Sequence, residues 1–142
     1  MLTQKKTGNI LEKYQRSFNN NVALVANSKK GLQPQAVFDF ISLSEFPFAF
    51  IEKVLNKTMK TFTSYQKNKT ALDPVISEKL LKIFSLYQKG VTVFGTVDDF
   101  NSWLAAPAFG LGKAVPKDLL DTITGIDLVS EELSRIEHGD LA

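Results

Sequence analysis

The reading of this chain turns on Val93-Phe94-Gly95-Thr96-Val97-Asp98-Asp99-Phe100-Asn101-Ser102-Trp103-Leu104. Gly95 is a turn residue. Thr96 with Asp99 three positions on makes a capping-box pattern, with Asp in place of the usual Glu. Val97, Phe100 and Leu104 then share one helical face, with Trp103 at its flank. Ala105-Ala106-Pro107 stops that helix, and the glycines of Gly110-Leu111-Gly112 allow a loop with backbone angles closed to other residues. Pro116 opens a short helix that buries Leu119, Leu120 and Ile123. Thr124 is the expected cap of a last helix, with Asp127 in its first turn. Ile126, Val129, Leu133 and Ile136 supply its apolar stripe. Glu131 and Arg135 make an i,i+4 pair on the solvent side, and Gly139 is the C-cap.

Working back towards the N-terminus, the pattern stays helical. Ile10, Leu11, Tyr14 and Phe18 recur at helical spacing, and Asn19-Asn20-Asn21 interrupts them. The state of Val22 to Ala26 is left open by periodicity, and Ser28-Lys29-Lys30-Gly31 reads as a loop. Pro34 suits the first turn of a helix with Val37, Phe38 and Ile41 inward. The next helix is expected to start at Ser44 and to bury Phe46, Phe50, Ile51 and Val54. Asn56 tolerates a left-handed turn, and Thr58 caps a helix running to about Asn68. Asp73-Pro74 marks a boundary before a long helix with Ile76, Leu80, Ile83, Phe84 and Tyr87 inward, which Gly90 is expected to end.

Two helices joined by a three- or four-residue turn, the second short and basic, form the helix-turn-helix pattern. The second would expose Lys60, Thr63, Ser64, Gln66 and Lys67 to DNA bases and backbone. Lys53, Lys57 and Lys69 would stand near phosphates.

The 142 residues carry 44% hydrophobic and 23% charged side chains, a composition of soluble globular proteins. No apolar run approaches the ~18 residues of a membrane span, so the expected location is the cytoplasm. Without cysteine there is no disulfide, thiol nucleophile or thiolate zinc site. His138 is the sole histidine, so a histidine-based metal cluster is excluded and a catalytic triad has one candidate base at a helix end. The expectation is a protein without catalytic residues, metal or cofactor. The net charge of +2 hides a split. Residues 1–70 hold eleven Lys or Arg against four Asp or Glu, and residues 71–142 hold six against eleven. A basic half points to a polyanion, and an acidic half to a different partner.

From Ser77 onwards the chain resembles the Xre–MbcA–ParS toxin-binding domain of bacterial type II antitoxins. The matching marks are Val93-Phe94-Gly95, Phe100 with Trp103-Leu104, Pro107, Leu111-Gly112, Pro116 with Leu119-Leu120-Asp121-Thr122, Gly125, and Leu133-Ser134-Arg135-Ile136-Glu137-His138-Gly139. Residues 31–70 are similar to the family's Xre-like helix-turn-helix region, although Ser64 and Tyr65 stand where relatives often carry arginines. The resemblance implies an all-α antitoxin with DNA-binding and dimerisation in residues 1–70 and toxin binding in residues 71–142. It implies a homodimer within a larger complex, operator DNA as one partner, and a RES-domain NAD-degrading toxin, or an ADP-ribosyltransferase-like relative, as the other. The family's C-terminal region covers the toxin's NAD entrance, which makes Trp103, Leu111, Arg135, Glu137, His138 and Asp140 the expected toxin-binding residues here. The rival reading is a stand-alone helix-turn-helix regulator whose C-terminal half only dimerises. A neighbouring gene for a small NAD-consuming enzyme separates the two.

Overall fold

The computed structural model describes residues 2–139, and among them the chain is all helical, with eight α-helices, two 3-10 turns and no strand. It divides into two compact units, residues 1–85 and 86–142. Their boundary falls inside a long helix, α6 (Pro74–Phe94), whose start is the Asp73-Pro74 break.

The first unit begins with α1 (Leu2–Phe18), which buries Ile10, Leu11, Tyr14 and Phe18. Asn20 then caps α2 (Asn21–Lys30), its side chain accepting from the Ala23 N–H at 2.8 Å. The asparagine run thus ends one helix and starts the next. The expected loop at Ser28–Gly31 is instead the end of α2, where Lys29 and Lys30 suit the negative end of the helix dipole. Gly31, at φ 88°, makes the turn.

Pro34 precedes α3 (Gln35–Ser44). Its buried face is rotated from the expected stripe: Val37, Phe40 and Leu43 are buried, whereas Phe38 and Ile41 are half-buried. Ser44 closes α3 rather than opening the next helix. Glu45 turns left-handed at φ 57°, and α4 (Phe48–Leu55) starts behind Pro47, which has no N–H to leave unpaired. Phe46 and Phe50 are only half-buried, packed edge to face at 4.7 Å. The turn Asn56-Lys57-Thr58 follows the sequence reading closely, with Asn56 left-handed at φ 57°. Thr58 caps α5 (Met59–Asn68) by accepting from the Thr61 N–H at 3.2 Å. The Glu52 carboxylate takes the Met59 N–H at 2.7 Å, fixing the turn to α4.

The centre of this unit is polar as well as apolar. Asp39 of α3 is 8% exposed and accepts from Tyr14 at 2.5 Å, Lys13 at 3.1 Å and Gln35 at 3.1 Å. Three donors stabilise a carboxylate that burial alone would make costly. The Tyr14 ring stacks on Phe84 of α6 at 4.4 Å. Burial, and then the hydrogen bond and charge of Asp39, push the Tyr14 phenol far above its ordinary range.

The second unit holds the end of α6, then α7 (Val97–Leu104), 3-10 turns at Phe109–Leu111 and Pro116–Leu119, and α8 (Ile123–Glu137). Gly90 does not end α6. It is buried within the helix because the Phe100 ring lies where its side chain would be. The turn comes instead at Gly95, at φ 96°. Thr96 caps α7 as expected, accepting from the Asp99 N–H at 3.0 Å. Phe100, fully buried, meets Tyr87 edge-on at 5.0 Å and stacks on Trp103 at 6.0 Å, while Phe94 and Trp103 lie 5.5 Å apart. The Tyr87 hydroxyl donates to Asn101 at 2.6 Å.

The last helix is capped by Thr122, not Thr124. The Thr122 hydroxyl accepts from the Gly125 N–H at 2.9 Å, and Thr122 alone of the two has the extended backbone a cap requires. Gly125 packs under the Leu119 carbonyl, where a methyl group would collide. Leu120, Ile126, Val129 and Leu133 are buried, and Leu119, Ile123 and Ile136 are half-buried.

Candidate interaction surfaces

In the second unit, the segment between α7 and α8 is tied to itself. The Ala108 N–H donates to the Ala114 carbonyl at 2.9 Å, and the Ala108 carbonyl accepts from Leu111 at 3.1 Å and Lys113 at 2.9 Å. The first 3-10 turn is seated on α8. At their contact the Glu132 carboxylate occupies the place where a side chain on Gly110 would stand. Glu132 is 5% exposed and accepts from Arg135 Nε at 2.8 Å. Arg135 therefore pairs at i+3 with Glu132, not at i+4 with Glu131, which is exposed. The reason is burial: a desolvated carboxylate needs a cation more than a hydrated one does. Lys89 of α6 reaches Ser130 and Ser134 of α8.

The residues singled out for a protein partner are placed unevenly. Glu137 and His138 are exposed at the end of α8, and Arg135 is half-buried beside them with its Nε engaged. Leu111 is half-buried in the 3-10 turn that rests on α8. Trp103 is half-buried and committed on one side to the aromatic cluster. Asp140 lies outside the described residues. Sequence reasoning passed over Phe109, whose side chain is 83% exposed, and Leu128, at 43%. The available signal was an aromatic in Ala108-Phe109-Gly110 that no apolar stripe claims.

In the first unit, Lys60, Thr63, Ser64, Gln66 and Lys67 are all exposed on α5, opposite fully buried Phe62. Lys57 is half-buried in the turn. Gln66 donates to Gln35 at 2.9 Å and Ser64 accepts from Asn68 at 3.4 Å, so both polar groups already have local partners. Charge follows the structural division. Residues 1–85 carry thirteen Lys or Arg and six Asp or Glu, whereas residues 86–142 carry four and nine.

Among the described residues, no group of three or more His, Asp or Glu side chains is placed to hold a metal ion. No described helix is long and apolar enough to cross a membrane. No curated protein gives a significant match to the chain. Residues 89–139 match the antitoxin Xre/MbcA/ParS C-terminal toxin-binding domain, from the last turn and a half of α6 through Gly139. That span takes in Phe94, Phe100 and Trp103 of the aromatic cluster, both 3-10 turns and α8 with the groups at its end. Over residues 89–139 the C-terminal unit is therefore similar to the toxin-binding domains of the Xre/MbcA/ParS antitoxins.

Proposed function

We propose that this protein is a cytoplasmic, non-catalytic antitoxin that neutralises a RES-type, NAD-consuming toxin by occluding its active-site entrance. The observation that carries the reading is the toxin-binding match over residues 89–139, which ends where α8 presents its exposed polar groups. Arg135 is steadied by Glu132, while Glu137 and His138 project beyond the last buried turn. NAD is anionic, so a pocket that binds it offers cationic or polar groups. Glu137 and Asp140 have the charge to occupy such a pocket in place of the nucleotide.

In the same proposal, residues 1–70 bind operator DNA and mediate homodimerisation, and residues 71–142 hold the toxin. The α4–turn–α5 geometry supports the first role. A short helix with Phe62 inward presents Lys60, Thr63, Ser64, Gln66 and Lys67 outward, with Lys57 in the turn before it.

Deleting Glu137–Ala142 tests the occlusion. The cut spares Arg135, and with it the charge partner of buried Glu132, so the unit should stay folded. Co-expressed with the toxin encoded beside it, the shortened chain should still copurify with the toxin yet fail to restore growth or cellular NAD. Full rescue by the shortened chain would refute occlusion by the C-terminal segment.

A further inference from the structure

We propose that Phe109, together with Leu128, is the apolar anchor of the toxin interface, and that it enters an apolar socket on the toxin rimmed by cationic groups. The inference rests on the toxin-binding reading and adds to it the residues that supply affinity, as distinct from those that occlude.

Phe109 projects into solvent at 83% exposure, and among the described residues of the second unit it is the most exposed large apolar side chain. Leu128 of α8 is 43% exposed. Helical spacing places Leu128 one turn before Glu132 on the same face, with Arg135 on the other side of Glu132. The Glu132 carboxylate is also the group that abuts Gly110, next to Phe109. The contact between turn and helix is thus flanked by Phe109, Leu128 and Arg135. Aromatic and Arg side chains are the commonest carriers of binding energy at protein interfaces.

The anchor is held in advance of binding. Ala108, immediately before it, is buried and bonded to Leu111, Lys113 and Ala114. The Phe109 carbonyl accepts from the Gly112 N–H at 3.2 Å. Gly110 lets the turn settle onto Glu132 without a side chain between them. A backbone ordered in this way loses little entropy when its side chain is captured. Among the described residues, Tyr87, Phe94, Phe100 and Trp103 form the unit's aromatic cluster without this ring.

Two observations select the toxin as occupant. Phe109 and Leu128 both fall within the matched toxin-binding segment, residues 89–139. Exposed Glu131 lies one turn from Leu128 in a unit with nine acidic and four basic residues, so the complementary surface carries positive charge around an apolar centre.

The test measures affinity of the full chain for the toxin encoded beside it, purified as an active-site-inactivated protein, by calorimetry or surface plasmon resonance. Phe109→Ser should weaken binding by about 30-fold or more, the range of an interface hot spot. Phe109→Leu should recover part of the loss, and Leu128→Ser should weaken binding less. At 83% exposure Phe109→Ser should leave the melting temperature unchanged, which separates lost contact from lost fold. Wild-type affinity in Phe109→Ser would overturn the anchor while leaving toxin binding intact. Failure of the wild-type chain to bind would overturn toxin binding and the anchor with it. Conversion of the protein to a smaller oligomer by Phe109→Ser would assign the ring to a second copy and overturn the proposal.

Discussion

Gly90→Ala sets two physical effects against each other with opposite signs. Gly90 is interior to α6, so alanine there should stabilise the helix by about 1 kcal/mol. The structure places the new methyl against three ring carbons of Phe100, closer than packed carbon atoms come. Relaxed contact needs about 3.5 Å, so α6 and the ring must separate by roughly 1 Å. Phe100 has no room to turn away, being fully buried between Tyr87, Phe94 and Trp103. Overpacking of this kind costs about 3 kcal/mol at the upper end of its usual range. The net expectation is a destabilisation of about 2 kcal/mol, a fall in Tm of roughly 10 °C for a unit this size.

Trp103 is the sole tryptophan and stacks on the displaced ring, so its fluorescence reports this unit directly during thermal or denaturant unfolding. Phe100→Leu introduced beside Gly90→Ala should recover at least about 1 kcal/mol of coupling in a double-mutant cycle. A Gly90→Ala protein as stable as the wild type, or more stable, would refute the close approach of Phe100 and leave helix propensity in command.

Tyr14 should make the first unit sensitive to alkali. Its folded-state pKa is raised above the ordinary tyrosine value near 10, chiefly by burial. The proton is therefore held more tightly in the folded state: its contribution is complete below about pH 10 and lost as pH rises beyond it, by up to about 1.4 kcal/mol per pH unit. Tyr14→Phe should lower stability at neutral pH by about 1–3 kcal/mol, because Asp39 loses one of three donors, and should flatten the alkaline decline seen in denaturant titrations. An unchanged alkaline slope in Tyr14→Phe would assign that decline to other groups. For the DNA-binding role, Lys60→Ala with Lys67→Ala should weaken operator binding and reduce the slope of log affinity against log salt by about 2. An unchanged slope would remove α5 from the phosphate backbone.

Sequence alone determined the all-helical class, the starts of α3, α5, α6 and α7, and the charge division. These depend on local chemistry: Thr58 and Thr96 cap through their own hydroxyls, and Asn56 turns left-handed because its side chain tolerates it. The toxin-binding domain was legible by resemblance to a known family, through marks running from Val93 to Gly139, and residues 89–139 match that domain. Tertiary structure decided what happens where distant groups compete for one place. Gly90 ends nothing because Phe100 occupies the space beside it. Thr122 takes the cap from Thr124 because Gly125 fits beneath Leu119. Arg135 turns to Glu132 rather than Glu131 because only Glu132 is buried, and the exposed ring of Phe109 stands out only once the other aromatics are seen to be packed. Periodicity records which residues prefer burial, but only the packed chain shows which of them were left outside.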